Sequence, residues 1–264
     1  MLKPGFPTGV LDLELDPDSN LWISLMYQTG VARFDRKSKT FTIFALPKEW
    51  QADHTQESFV TPSYLSVDGK VWSNNQDMHA TYRLDVASKQ WENLGPVKDF
   101  TGHGINAYGM PTDHDNNLYM LDFSGTNIGK LDAKTGKLTL YPTPTPYSRP
   151  RRGRVDSDNN LWFAEYNANA IGFFDAKTEK ITEWKLPTPY SDPYDVVRAD
   201  NGDVWTGSMH TDRVDRLDPK TGTFVEYPLP RDTNIRRVFF DTATNALWVG
   251  SNHGGSIVKV EPLD

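Results

Sequence analysis

The sequence predicts an all-β fold, a β-propeller of six repeats of about 43 residues, and three observations carry that prediction. Six dipeptides, Leu21-Trp22, Val71-Trp72, Leu118-Tyr119, Leu161-Trp162, Val204-Trp205 and Leu247-Trp248, each follow an Asp, Asn or Gly turn, with aromatics spaced 50, 47, 43, 43 and 43 residues apart. Thirteen residues after each aromatic stands an acid: Asp35, Asp85, Asp132, Asp175, Asp218 and Glu261. The apolar runs are short, β-branched or aromatic, and broken by turn residues at intervals that exclude helices. A period of this length built from strand-like runs indicates blades of four antiparallel strands, since one blade cannot cover its own two apolar faces.

The fourth repeat places strand A at 151–156, B at 161–166, C at 170–175 and D at 180–186. Asp-Ser-Asp-Asn-Asn closes A to B, and Asp-Ala-Lys-Thr-Gly (132–136) and Asp-Pro-Lys-Thr-Gly (218–222) read as C-to-D hairpins with Gly supplying a positive φ. Four repeats place an aromatic nine residues beyond the acid (Phe44, Tyr141, Trp184, Tyr227) and a proline twelve beyond it. The expectation is one propeller domain over 1–264, with six blades around a central channel. The last repeat stops after strand C, at Glu261-Pro262-Leu263-Asp264. Either residues 1–5 add a stub to that blade, or the chain is a piece of a longer protein with a seventh blade. The abrupt start of the first repeat favours the second.

Composition bounds the function. A net charge of −7 and a pI near 5.4 argue against broad binding to nucleic acid or anionic lipid. No apolar run reaches the ~20 residues of a membrane helix, and the first residues do not form a secretory signal. The absence of cysteine excludes disulfides and thiolate metal sites and leaves the compartment open. Oligomeric state is not legible.

In antiparallel blades the B-to-C and D-to-A loops share one face. The additional residues of the first two repeats are expected in 48–62 and 94–111, mainly D-to-A loops, which makes this face the candidate site. His54, His79, His103, His210 and His253 map to it, and His114 to the other. His210 and His253 hold equivalent positions in adjacent repeats and are candidates for proton transfer or metal ligation. Arg149, Arg151, Arg152, Arg154, Arg198, Arg236 and Arg237 lie on or beside the channel-lining A strands. They either pair with Asp156, Asp195 or Asp241, or recognise an anionic ligand. Glu165, at the loop-face end of strand B, is a surface acid or a site carboxylate. The "DPDSN", "DHDNN" and "DSDNN" segments resemble calcium loops but lack the twelfth-position Glu, and turn chemistry accounts for them.

The run "DNNLWFAEYNANAIGFFDAKTEKITEWKLPTPYSDPYDV" resembles the repeat of the streptogramin B lyases, also called virginiamycin B lyases. The resemblance implies a propeller, a magnesium ion or another divalent metal with no organic cofactor, and β-elimination that opens a cyclic depsipeptide at its ester. It places catalytic histidines after a proline at the start of strand A. Here those positions read Pro150-Arg151 and Pro193-Tyr194. Asp192 matches the carboxylate before one Pro-His pair. Gly102-His103-Gly104-Ile105 echoes the His-Gly-Ile part, with Tyr108 in the aligned place.

β-Elimination needs a base, an enolate stabiliser and an acid. Tyr194 or His210 is the candidate base and His253 the candidate acid. Arg151, or a metal near Asp192 and Glu165, is the candidate stabiliser. Such a set suits a small cyclic ester or a uronate-type oligosaccharide. The alternatives are a noncatalytic ligand- or partner-binding sensor and, ranked last, metal-dependent lactone hydrolysis.

Overall fold

The aromatic-to-acid interval is constant because each acid closes a hairpin. Asp35, Asp132, Asp175 and Asp218 each accept the backbone N–H two residues on, at 2.8–2.9 Å, and Asp85 accepts that of Ser88 at 2.8 Å. These hydrogen bonds to the ionised form hold all five carboxyls below the usual aspartate range. A second cap closes the A-to-B turns. The Asn20 and Asn160 N–H groups donate to Asp16 and Asp156 at 2.8 and 3.0 Å, and the indoles of Trp22 and Trp162 donate to the same carboxylates at 3.0 and 2.9 Å. The calcium-like segments are these turns.

The computed structural model describes residues 4–51, 57–99 and 101–262. They form an all-β, six-bladed β-propeller with six antiparallel sheets, five of four strands and the last of three. Blade 1 holds β1–β4 (Val10–Leu15, Leu21–Leu25, Gly30–Asp35, Thr40–Ala45), and blade 2 holds β5–β8 (Glu57–Thr61, Lys70–Asn75, Ala80–Asp85, Gln90–Pro96). Blade 3 holds β9–β12 (Ala107–Gly109, Leu118–Asp122, Asn127–Leu131, Leu138–Pro142). Blade 4 holds β13–β16 (Pro150–Val155, Leu161–Glu165, Ala170–Asp175, Lys180–Lys185), within a residue of expectation at every end. Blade 5 holds β17–β20 (Pro193–Arg198, Val204–Ser208, Arg213–Asp218, Thr223–Pro228), and blade 6 holds β21–β23 (Ile235–Asp241, Ala246–Ser251, Ser256–Val260). Pro4 and Gly5 lie in a turn and add no strand to blade 6, and residues 1–3 lie outside the described residues.

The extra length of the second repeat is not confined to its D-to-A loop. Part of it forms α1 (Leu65–Asp68) between β5 and β6, ended by Gly69 at φ +75°.

Two compact units emerge, Met1–Phe123 with Ile128–Leu140, and Ser124–Asn127 with Tyr141–Asp264. In unit 1, Trp22, Val31 and Phe44 of blade 1 pack on Val60, Val71 and Leu84 of blade 2. In unit 2, Trp162 and Ile171 pack on Val196, Val204 and Leu217, and Trp205 and Val214 pack on Val238, Leu247 and Val249. The aromatic beyond each hairpin stacks on the repeat aromatic: Trp22 with Phe44 at 5.4 Å, Trp162 with Trp184 at 5.8 Å, Trp205 with Tyr227 at 5.6 Å.

Trp22, Trp72, Trp162 and Trp205 are at most 5% exposed, but Trp248 is 37% exposed beside the exposed Phe239 and Ile257. Burial makes the same residue worth different amounts. Trp205→Ala is expected to cost about 3–5 kcal/mol, and Trp248→Ala less than roughly half of that. Urea unfolding of the two variants checks the contrast, and equal losses would contradict it.

Candidate functional site

Equivalent pairings define tiers at the start of the A strands of unit 2. Pro150 pairs with Glu165, Pro193 with Ser208 and Ile235 with Ser251, and each pair is followed by a register shift. The bulge keeps two consecutive residues from simple alternation. Arg151, Tyr194 and Arg236 therefore form one tier, and Arg152, Asp195 and Arg237 the next. Arg149, Asp192 and Asn234 precede them at the loop-face rim.

In the middle tier the Arg151 guanidinium lies 3.8 Å from the Tyr194 ring centroid and 4.6 Å from that of Tyr166, and Arg236 lies 5.8 Å from Tyr194. Tyr194 and Arg151 are buried. Arg236 Nε donates to Asn234 Oδ1 at 2.7 Å, and among the described residues Arg236 has no carboxylate partner. Cation–π contacts of this kind are strongest when desolvated.

The tier below is ionic. Arg154 grips Asp195 as a fork, both bonds at 2.9 Å, and also donates to the carbonyls of Val196 and Val238. Arg237 stands 3.6 Å from the same carboxylate. Burial would raise the Asp195 pKa, but Arg154, Arg237 and Arg152 outweigh it and hold the group below the usual range. Arg198 lies 3.7 Å from Asp156. Arg154 and Arg237 thus pair with Asp195 and Arg198 with Asp156, whereas Arg151 and Arg236 stack on Tyr194 and Arg149 on Tyr166.

At the rim, His210 Nδ1 and Asp192 Oδ2 are 2.7 Å apart. The Asn169 side chain accepts the N–H groups of Ser191 and Asp192 at 2.9 and 3.2 Å, fixing Asp192 at φ +51°. Ser208 Oγ accepts the His210 N–H at 3.1 Å. The His210 ring faces the edge of Tyr166 at 6.3 Å, and Met209 Sδ lies 4.0 Å from Arg151 Nη1. Tyr166 therefore joins the imidazole to the guanidinium stack.

Glu165 is fully buried, and among the described residues neither carboxyl oxygen has a well-aligned donor. Burial, reinforced by the Glu183 charge, pushes its pKa up to about 9 against a lowering contribution from Ser148. Glu183 is held by the Thr145 N–H at 2.9 Å and hydroxyl at 2.6 Å. In blade 5 burial and Glu226 likewise push Asp215 up to about 7. Glu165 is a buried acid and not a surface carboxylate.

The remaining sequence candidates fall elsewhere. His253 is exposed in the β22-to-β23 turn and makes no contact with the His210–Asp192 pair among the described residues. His103 belongs to a local turn of unit 1, its Nδ1 2.7 Å from the Thr101 hydroxyl. Tyr108 packs between Phe59 and Phe123, 5.3 Å from each ring, in the unit 1 core. His54 lies outside the described residues, and His114 sits 5.1 Å from Tyr64. Tyr166 and Asn234 were not legible as site residues. Only counting from the paired starts of β13, β17 and β21 reveals them.

Among the described residues no group of three His, Asp or Glu side chains gathers to hold a metal. The His210–Asp192 pair shares Tyr166 with the Arg151 cation, an environment that disfavours a divalent ion. The residues present at this site do not fit one.

The comparisons agree with the fold. No curated protein sequence matches the chain. The chain is similar to the structure of a catalytically inactive histidine-to-alanine virginiamycin B lyase from Staphylococcus aureus with quinupristin, at 20% identity and TM-score 0.82 over 99% of this chain and 83% of that one. A streptogramin B lyase structure matches at 20% identity and TM-score 0.76, over 100% of this chain and 86% of that one. The extracellular domain of the one-component system BT4673 from B. thetaiotaomicron matches at 15% identity and TM-score 0.71, over 99% of this chain and 35% of that one. The virginiamycin B lyase family model matches residues 98–263, more than half the sequence, and the chain belongs to that family.

Proposed function

We propose that unit 2 binds a small carboxylate-bearing molecule at the Arg151–Tyr194–Arg236 stack and catalyses β-elimination on it, with His210 as base. One conjunction carries this reading: a histidine oriented by a carboxylate at 2.7 Å stands across a tyrosine ring from a buried guanidinium. The guanidiniums pair with the carboxylate and lower the energy of the charge that develops on it. With Nδ1 bound to Asp192, Nε2 of the half-exposed His210 takes the proton α to the carboxylate. The C–H electron pair becomes the double bond, and the β carbon–oxygen bond breaks. The departing oxygen then takes the same proton from the imidazolium, so one residue serves as base and acid.

Tyr194, a candidate base by sequence, acts here as the plate between two cations. Glu165 supports the charge balance, because a carboxyl protonated at neutral pH cancels none of the arginine field. A second reading is a binding propeller without chemistry. It is favoured by Arg151 and Tyr194, which occupy the places where the family resemblance puts catalytic histidines.

Incubation with cyclic depsipeptides and uronic oligosaccharides, following absorbance from a new conjugated double bond, tests the proposal. His210→Ala and Asp192→Asn are each expected to slow turnover by about 10²-fold or more, and Arg236→Ala to raise KM more than it lowers kcat. Binding with no new chromophore moves the function to the second reading.

Glu165 gives an independent check. Its folded pKa is raised, so between 4.5 and about 9 the unfolded chain releases a proton that the folded one retains, and stability falls as pH rises through that window. Glu165→Gln is expected to be more stable than the parent at about pH 8, with a flatter pH profile of the urea midpoint from about pH 5 upward. Parallel profiles would contradict the buried neutral acid.

A further inference from the structure

Two adjacent blades open with the same phrase, Pro146-Tyr147-Ser148 and Pro189-Tyr190-Ser191, at equivalent places in their D-to-A loops. Both tyrosines hold the left-handed region, φ +51° and +59°, an uncommon place for a bulky side chain. Tyr147 and Tyr190 are 72% and 81% exposed, and among the described residues neither ring contacts another ring or a cation. What fixes Tyr147 is backbone. The Tyr147 N–H donates to Thr126 Oγ1 at 2.9 Å and its carbonyl accepts from Asn167 at 3.0 Å. The following serines are buried, with Ser148 Oγ 2.8 Å from Thr143 Oγ1 and Ser191 donating to the Thr188 carbonyl at 2.9 Å. Packing of the rings explains neither position.

Each tyrosine also stands two residues before a rim residue of the site. Arg149, after Tyr147, lies 5.9 Å from the Tyr166 ring, and Asp192, after Tyr190, holds His210. A pair of wet aromatic faces, each on a loop that leads into the tier of Arg151 and Tyr194, has a definite chemical complement. That complement is a chain of rings with apolar C–H faces, hydroxyl edges and a carboxylate. Tyrosine suits it because one side of the residue is apolar and its tip is polar.

We propose that Tyr147 and Tyr190 are stacking platforms for neighbouring sugar units, and that the ligand of unit 2 is a uronate oligosaccharide whose carboxylate occupies the Arg151–Arg236 stack. The proposal rests on the anion-binding reading above and narrows its substrate class. The platforms supply affinity that grows with chain length. The guanidiniums supply the requirement for charge.

Calorimetric titration with tetragalacturonate, monomeric galacturonate and neutral maltotetraose separates these contributions. The parent protein is expected to bind the tetramer at least about tenfold tighter than the monomer, with no measurable binding of maltotetraose. Tyr147→Ala and Tyr190→Ala, both at exposed positions, are each expected to lose about two- to tenfold of tetramer affinity and leave monomer binding unchanged. Arg236→Ala weakens both uronates. Equal affinities for tetramer and monomer, or tyrosine variants that keep the tetramer's advantage, would overturn the platforms while leaving the anion site standing. Failure of every uronate to bind, with Arg236→Ala no different from the parent, would sink both readings.

Discussion

The site of unit 2 depends on one buried carboxylate. Asp195 is taken out of water at a free-energy cost that only close, well-oriented partners offset, and those partners come from the two neighbouring blades. Arg154 reaches it from blade 4, and Arg237 and the Val238 N–H reach it from blade 6, the latter at 3.1 Å. Its own chain belongs to blade 5. The carboxylate therefore ties β13, β17 and β21 at one height, and the tier above inherits that alignment. Arg151, Tyr194 and Arg236 meet face to face because the residues that follow them are held by a shared ion. Loss of the carboxylate would leave Arg154 and Arg237 without the partner they share, and with it the alignment that the tier above inherits.

The same arrangement explains how a protein of net charge −7 gathers a cluster of guanidiniums. Net charge describes the far field, whereas a ligand at the rim meets the nearest groups. Asp195 is committed to Arg154 and Arg237, Asp192 to His210, and Glu165 keeps its proton. Arg236 has only an amide oxygen and a tyrosine face among the described residues. Placing Arg236 against an aromatic ring lets it be held without a carboxylate among the described residues.

Much of the architecture is legible in the sequence because its periodic residues have local duties. The acid at a constant interval caps a hairpin, the Asp of the A-to-B turn holds the indole that follows, and the later aromatic stacks on that indole. These contacts lie within one repeat, so counting finds them. The site is legible only in part. His210, Asp192 and Arg151 stood out by residue type and loop position. Their grouping depended on the bulges of β13, β17 and β21, which no alternation rule foresees, and on Tyr166, whose role exists only across blades. Tyr108 and His103 match the family motif imperfectly, and they stand in a core and a turn. The equivalence of His210 and His253 in sequence does not extend to environment, since only His210 has a carboxylate at hydrogen-bonding distance.

Departure from the family pattern has a consistent chemical direction. Where the resemblance places imidazoles after the proline at the start of strand A, this chain has a guanidinium and a phenol. The positions thereby change from proton-transfer chemistry to fixed charge and shape. In the proposed reading the imidazole reappears on the B-to-C loop of blade 5, and Asp192, on the D-to-A loop leading into the same blade, orients it. Recognition and proton transfer then occupy separate elements, the A strands and the loops above them. Such a division lets the strand positions be tuned to the charge of a ligand without altering the base. In that reading a fixed guanidinium supplies the positive charge at this place.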